Sequence, residues 1–159
     1  MIETTFSYMV HNELIDPSID VNSEEELFEV VGKRLLDLGY VTDGYSEAVN
    51  KREKEFPTGL NADAFTMAVP HVDPEFIVKP FVYICKTKKD LDLKQMAINT
   101  DMKTKNFCFL GIKEATGQAN LLKNIIFAMR EEDFISRFTN AKTSKELAYV
   151  VGEYLDKKY

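Results

Sequence analysis

Three short segments in the middle of the chain have the composition of buried β-strands, and they limit the folds that the sequence can adopt. They run from Thr66 to Val69, from Phe81 to Cys85 and from Phe107 to Ile112. Each is rich in β-branched or aromatic residues and is bounded by polar or proline-containing sequence, as buried strands usually are. Together with a first strand expected near Thr4 to Val10, they predict a central β-sheet.

Apolar residues with helical spacing lie on both sides of these segments and predict helices there. Ser23, followed by Glu26, is typical of a capping box at the start of a first helix, and Gly39 is expected to end that helix. A short separate helix is expected from Glu132 to Phe138. The residues with helical spacing are Leu27, Val30, Val31, Leu35 and Leu38 in the first helix, Leu121, Leu122, Ile125, Ile126 and Met129 in a later one, and Leu147, Val150, Val151, Tyr154 and Leu155 in the last.

The order of these elements predicts an α/β fold, a three-layer α/β/α sandwich with a mixed β-sheet. Strict alternation of strand and helix is missing, so a wholly parallel sheet is not expected. The segment from Thr87 to Lys105 is interpreted as a long connection, which is either a functional loop or a solvated crossover. With 159 residues, 45% hydrophobic content and no linker-like tract, residues 1–159 are predicted to form a single domain.

Charge and cysteine content exclude several classes of function. The formal net charge of −6 argues against a nucleic-acid or anionic-membrane partner. Cys85 and Cys108 lie in apolar segments without a CxxC pattern, so both are expected to be reduced core residues. No apolar run approaches the ~18 residues of a membrane span, and the start of the chain does not have the features of a signal peptide. A cytoplasmic protein without direct membrane insertion is therefore expected.

His71 is one of only two histidines, and it follows Pro70 at the end of an apolar run. A histidine in this place can be a nucleophile, a general base, a metal ligand or a packed structural group. A metal site has little support, because His11 is the only other imidazole and no carboxylate cluster has ligand spacing. Neither a metal nor another cofactor is expected. Accepting a phosphoryl group is a reaction that one neutral imidazole can perform by itself.

A second helix is expected to begin after a cap at Thr42 or Asp43 and to end near Glu55, because Pro57 stops it. Arg52 falls on the apolar stripe of this helix. A guanidinium group there needs an anion or a hydrogen-bonding partner, so the position indicates either a structural ion pair or a phosphate contact. The apolar members of the stripe are Tyr45, Ala48, Val49 and Phe56.

Three neighbouring residues have more than one possible role. Glu53 is either a structural partner of Arg52 or a residue that orients it. Thr58 can offer its hydroxyl to phosphate oxygens or simply form the turn in which it lies. Asp73 can orient the imidazole of His71 or cap the turn that follows, and the capping role is favoured.

Taken together, the stretches KREKEFPTGL and AFTMAVPHVD closely resemble the enzyme IIA domain of the fructose and mannitol class of the bacterial sugar phosphotransferase system, and most of all its galactitol-type branch. The family pattern is an Arg-Glu pair at the end of a helix, a Thr-Gly turn, and a strand that ends in Pro-His. The resemblance continues through VKPFVYICK, GIKEATGQANLLKNIIFAMRE and AKTSKELAYVVGEYL, so it covers nearly the whole chain.

This resemblance implies an α/β/α sandwich with a mixed sheet and the function of a phosphocarrier. It implies that His71 is transiently phosphorylated by the phosphocarrier protein HPr and passes the group to a cysteine of an enzyme IIB partner. Arg52 would neutralise the charge of the phosphoryl group, and Glu53 and Thr58 would be supporting positions.

The chain departs from the family pattern near the start of the late helix, where many members carry a second histidine. Gln118 occupies that place, unless a gap in the alignment puts Thr116 there. A glutamine can donate a hydrogen bond to the imidazole or to a phosphate oxygen, but it cannot titrate. Two alternatives stay open: a regulatory protein of the nitrogen type, whose phosphorylation switches its protein partners, and, because the second histidine is missing, an inactive chain that retains the fold.

Overall fold

A computed structural model describes residues 6–157 and shows a β-sheet between two layers of helices. The strands are β1 (Ile15–Ile19), β2 (Gly59–Asn61), β3 (Thr66–Ala68), β4 (Phe81–Lys94) and β5 (Asp101–Gly111). The helices are α1 (Glu24–Asp37), α2 (Tyr45–Glu55), α3 (Ala115–Ala128), α4 (Glu132–Asn140) and α5 (Ser144–Leu155). The sheet has the order β1-β4-β5-β3-β2. The pairs β1–β4 and β3–β5 are parallel and the other two pairs are antiparallel, which confirms the mixed sheet.

The side chains of the central strands alternate between two separate hydrophobic cores, one on each face of the sheet. On β4, Phe81, Tyr83 and Cys85 pack in the core that α1 and α2 cover, whereas Val82 and Ile84 pack under α3, α4 and α5. Both faces are apolar because both faces are covered, which explains why these strands appear in the sequence as continuous apolar runs. The predicted three-layer α/β/α sandwich is confirmed.

The first strand lies later in the chain than expected. Residues Ser7–Met9 form a 3₁₀ turn. The prediction of a strand near Thr4 to Val10 is therefore wrong for the described part of this range, and Thr4 itself lies outside the described residues. β1 has the sequence IDPSI and lies at the edge of the sheet, beside β4. An edge strand tolerates a proline because one side of it needs no ladder hydrogen bonds, and Pro17 therefore hid this strand in the sequence.

The predicted ends of α1 are confirmed, but the predicted start of α2 is wrong. The Ser23 hydroxyl accepts a hydrogen bond from the amide of Glu26 (3.2 Å), and Gly39 has the left-handed φ of 82° that suits a glycine. Gly44 is the N-cap of α2, without a side-chain capping bond. Neither Thr42 nor Asp43 therefore caps that helix.

The interpretation of Thr87 to Lys105 as a connecting loop is wrong, because most of this segment forms the outer part of the β4–β5 hairpin. Its strands are hard to recognise because one face is polar and the register shifts between Lys86 and Leu91. The tip of the hairpin pairs with Gly59, and the amide of Met96 donates a hydrogen bond to the Gly59 carbonyl (2.7 Å). The hairpin therefore supports the start of β2. No helix among residues 6–157 is long and apolar enough to cross a membrane.

Candidate functional site

His71 is delivered by the chain that continues from the end of β3. Val69, Pro70 and His71 run beside β5, where the amide of Leu110 donates a hydrogen bond to the Pro70 carbonyl (3.0 Å) and His71 forms an isolated parallel bridge with Leu110. Pro70 has a fixed φ, which sets the direction in which the chain continues to His71. It has no backbone N–H, so no acceptor is needed at this position. The imidazole is half-buried at this end of the sheet.

One hydrogen bond fixes the orientation of the His71 ring. Nδ1 lies 2.8 Å from the carbonyl oxygen of Val69. A carbonyl can only accept, so Nδ1 carries the proton and Nε2 of the neutral ring keeps its lone pair. Burial lowers the pKa of His71 below its ordinary value of 6.5; the bond to Val69 opposes this, Arg52 lowers the pKa further, and Asp73 raises it. The ring is therefore neutral and nucleophilic near neutral pH.

Glu53 and Thr58 connect the end of α2 to the strand that carries His71. The buried carboxylate of Glu53 accepts hydrogen bonds from the Thr58 amide (2.9 Å) and from the Thr58 hydroxyl (2.9 Å to Oε2 and 3.0 Å to Oε1). The Thr58 carbonyl in turn accepts from the amide of Val69 (3.3 Å), whose own carbonyl holds the imidazole. A continuous series of hydrogen bonds therefore joins α2 to the ring of His71. The Thr58 hydroxyl is directed to Glu53.

Arg52 lies within electrostatic reach of the imidazole and has only loose contacts of its own. Its Nη1 is 3.5 Å from Oδ1 of Asp73, and its guanidinium group lies over the ring of Phe56, 4.8 Å from the centroid. Its Nε is buried and has no hydrogen-bond partner among residues 6–157. Asp73 is the N-cap residue of the 3₁₀ turn Pro74–Phe76, as favoured from the sequence, but its side chain makes no capping bond and pairs with Arg52 instead. Phe56 is 60% exposed, so its predicted place on the inward stripe is wrong.

Gln118 lies in the first turn of α3, half-buried, and Thr116 is exposed in the same turn. This turn follows β5, the strand that pairs with the segment carrying His71, so the topology places the start of α3 near the end of the sheet where the imidazole lies. The hydrogen bonds in the described part of the chain do not connect the side chain of Gln118 to His71 or Arg52, and the imidazole bonds to Val69.

Glu24 is a residue of this region that the sequence did not reveal. It is the first residue of α1, and it lines an open cleft of about 330 Å³ together with Glu53 of α2 and Lys94 of the hairpin. Its Oε2 is buried without a hydrogen-bond partner among the described residues. Burial, and then the charges of Glu53 and Glu25, raise the pKa of Glu24 to about 8. An acidic residue in the first turn of a helix is so common that its position gives no sign of this burial.

The thiol and imidazole groups do not assemble a metal centre in the described ranges. No group of three or more His, Cys, Asp or Glu residues within 6–157 is placed to hold a metal ion. Cys85 and Cys108 are free and buried in the cores on opposite faces of the sheet, which confirms them as reduced core residues. His11 is exposed.

The sequence model of the family described as "Phosphoenolpyruvate-dependent sugar phosphotransferase system, EIIA 2" matches residues 9–154. The chain belongs to this family. It is therefore a phosphotransferase component with the role of a phosphocarrier, and the resemblance seen in the sequence is confirmed.

Relatives and solved structures of the EIIA family match over most of their length. The mannitol-specific phosphotransferase enzyme IIA component of Staphylococcus aureus is 26% identical over 151 residues, covering 92% of this chain and 97% of the relative. The galactitol-specific EIIA component of Escherichia coli is 21% identical over 145 residues, covering 91% and 97%. The crystal structure of IIA mannitol from Escherichia coli superposes with a TM-score of 0.71 at 21% identity, covering 89% of this chain and 97% of that one.

Proposed function

We propose that this EIIA component accepts a phosphoryl group from phospho-HPr on Nε2 of His71 and passes it to a cysteine of an enzyme IIB partner. The observation that supports the proposal is the hydrogen bond of the ring: Nδ1–H is bound to the Val69 carbonyl, which leaves the lone pair on Nε2, and the charge of Arg52 acts on the same ring. A phosphoryl acceptor needs a neutral imidazole with one free nitrogen and a cation close to it. The proposed role of His71 uses both features.

In the transfer step, the Nε2 lone pair attacks the phosphorus in line with the leaving nitrogen of phospho-HPr. A new Nε2–P bond forms, the P–N bond of the donor breaks, and the donor nitrogen keeps the electron pair. Nδ1 holds its proton throughout, so the ring needs no base. Arg52 would neutralise charge on the equatorial oxygens, and nearby backbone N–H groups would assist, since phosphoryl transfer depends mainly on positioning and charge.

Glu53 and Thr58 act through other residues in this proposal. The Glu53 carboxylate holds Thr58, and Thr58 holds the strand whose Val69 carbonyl orients the imidazole. We assign both the role of positioning residues. Gln118 is the remaining candidate, and its proposed role is a hydrogen bond to the phosphoryl group once that group is attached.

The proposed acceptor has support from a solved complex. The structure of enzyme IIA mannitol with phosphorylated enzyme IIB mannitol from Escherichia coli matches this chain with a TM-score of 0.72 at 19% identity, covering 89% of this chain and 95% of that one. The net charge of −6 suits partners that present basic groups around their own phosphoryl sites.

A regulatory role is the second candidate, favoured by a further structural similarity. The nitrogen regulatory protein IIA-Ntr from Neisseria meningitidis superposes with a TM-score of 0.75 at 17% identity, covering 91% of this chain and 97% of that one. The two roles differ in their partners. Genes for enzymes IIB and IIC beside this one would favour transport, and their absence would favour regulation.

The test is incubation with phosphoenolpyruvate, enzyme I and HPr, followed by intact-mass measurement. We expect one acid-labile phosphoryl group on the wild type and on His11→Ala, which removes the other, exposed histidine, and none on His71→Ala. Arg52→Ala should stay folded and accept the group about tenfold to a thousandfold more slowly. An unmodified wild type, or a labelled His71→Ala variant, would contradict the assignment.

A further inference from the structure

The ion pair between Arg52 and Asp73 lies close enough to His71 for both charges to act on its imidazole. Asp73 follows His71 by two residues, and both charged groups act on the ring: Arg52 lowers the pKa of His71 and Asp73 raises it. The carboxylate therefore lies within electrostatic reach of the place where a phosphoryl group on Nε2 would be. The same carboxylate forms the ion pair with Arg52.

The pair has the geometry of an interaction that is easily exchanged. Its one contact is 3.5 Å long, and the two side chains are 36% and 67% exposed, so water and salt screen it. The guanidinium is meanwhile held over the ring of Phe56, and the buried Nε of Arg52 donates to no group in the described part of the chain. Arg52 thus has a weak partner and an unused donor.

We infer that Asp73 is a positioning residue for the phosphoryl transfer: it holds Arg52 beside His71 in the unphosphorylated protein and is displaced from Arg52 by the phosphoryl group. This inference rests on the proposed function of His71. A phosphoryl group carries more charge than a carboxylate and offers three acceptor oxygens, so it competes for the guanidinium with an advantage. Only the partner of Arg52 changes, and no covalent bond is made or broken in the exchange.

The displaced carboxylate then lies close to the new anion. Repulsion between Asp73 and the phosphoryl group raises the free energy of the phosphorylated protein and favours onward transfer. For one unit charge at roughly 6 Å from a dianion in a water-like dielectric, Coulomb's law gives an effect of about tenfold on an equilibrium constant, and salt reduces it to about threefold.

The first measurement is the equilibrium between phospho-HPr and this protein, read by intact mass. Asp73→Asn should shift it toward the phosphorylated protein by about threefold to tenfold, and Asp73→Glu should restore the wild-type value. Glu75→Gln is the matched control, because this substitution removes the same charge from the same exposed turn. Glu75 lines the same groove as Asp73 but does not pair with Arg52 in the described structure. An unchanged equilibrium in Asp73→Asn, or an equal shift in Glu75→Gln, would overturn the inference.

The second measurement is the NMR signal of the Arg52 Nε–H group. We expect Asp73→Asn to shift this signal in the unphosphorylated protein and to leave it at the wild-type position in the phosphorylated protein, where Arg52 has the same partner in both. A shift that persists after phosphorylation, or no shift in either state, would refute the exchange. If the wild type accepts no phosphoryl group on His71, the proposed function fails; if it does and these signals do not change, the role of Asp73 alone fails.

Discussion

Replacing Glu24 with glutamine should change how the stability of the protein depends on pH. Burial, and then the nearby charges of Glu53 and Glu25, raise the pKa of Glu24 from 4.5 to about 8. Burial raises the pKa of Glu53 as well, but the hydrogen bonds from Thr58 and the charge of Arg52 lower it, whereas Oε2 of Glu24 has no donor among the described residues. We therefore expect the proton of this pair to reside on Glu24. Glu24→Gln mimics that neutral form at every pH.

The size and sign of the effect follow from proton linkage. Between the two pKa values of Glu24, 4.5 and about 8, the folded protein binds a proton that the unfolded chain has released. The contribution of this group to the free energy of unfolding therefore falls by about 1.4 kcal/mol for each unit of rising pH. From about pH 5 to about pH 8, the wild type should lose roughly 4 kcal/mol relative to Glu24→Gln.

Urea unfolding followed by far-UV circular dichroism measures this difference. The two proteins should have nearly equal free energies of unfolding at about pH 5 and diverge steadily above it, with the same dependence on urea concentration. Glu29→Gln is the control, because Glu29 is an exposed carboxylate on the same helix. If the difference between Glu24→Gln and the wild type is constant across this pH range, or shrinks as the pH rises, Glu24 does not carry the proton.

Three further predictions concern the residues around the imidazole. Thr58→Val removes the hydroxyl that donates to buried Glu53, so the free energy of unfolding should fall by about 1–3 kcal/mol in urea titrations, and less at low pH, where Glu53 is neutral. Gly59→Ala would place a Cβ 2.5 Å from Sδ of Met102, and it should cost about 1–3 kcal/mol and speed amide exchange in the hairpin, which unchanged exchange rates would contradict. The NMR-measured pKa of His71 should lie below 6.5, and Arg52→Ala should raise it, since the guanidinium favours the neutral ring; a decrease would show that Arg52 does not act on the imidazole.

The layered fold could be predicted because its signals are local. The central strands are apolar on both faces, the Ser23 cap and Gly39 mark the ends of α1, and Pro57 marks the end of α2, so each element is recognisable without its neighbours. The need of Arg52 for a partner could also be predicted, since a cation on an apolar stripe requires an anion or a hydrogen-bonding group. The structure supplies that partner as Asp73.

The features that could not be predicted depend on contacts between distant parts of the chain. β1 contains a proline that only an edge position tolerates, and the outer hairpin has only the short alternation of Leu91 and Leu93, which are buried on one face. Phe56 follows the helical spacing of α2 but lies beyond its last residue, so the helical phase no longer determines where its side chain points. Burial of Glu24 requires α1, α2 and the hairpin together.

The bonding of the site explains why a phosphoryl group fits where we place it. The hydrogen bonds from Glu53 through Thr58 and Val69 to Nδ1 of His71 form a continuous series. The groups in this series already have partners within the protein. Within residues 6–157, the Nε donor of Arg52 is buried and unpaired, and the lone pair of Nε2 faces no fixed partner. Leaving a buried donor unpaired costs stability, and an anion that accepts from Nε of Arg52 would remove that cost. An anion that bonds covalently to Nε2 and accepts from Arg52 satisfies both groups at once, and the weak pair with Asp73 allows it to enter and leave.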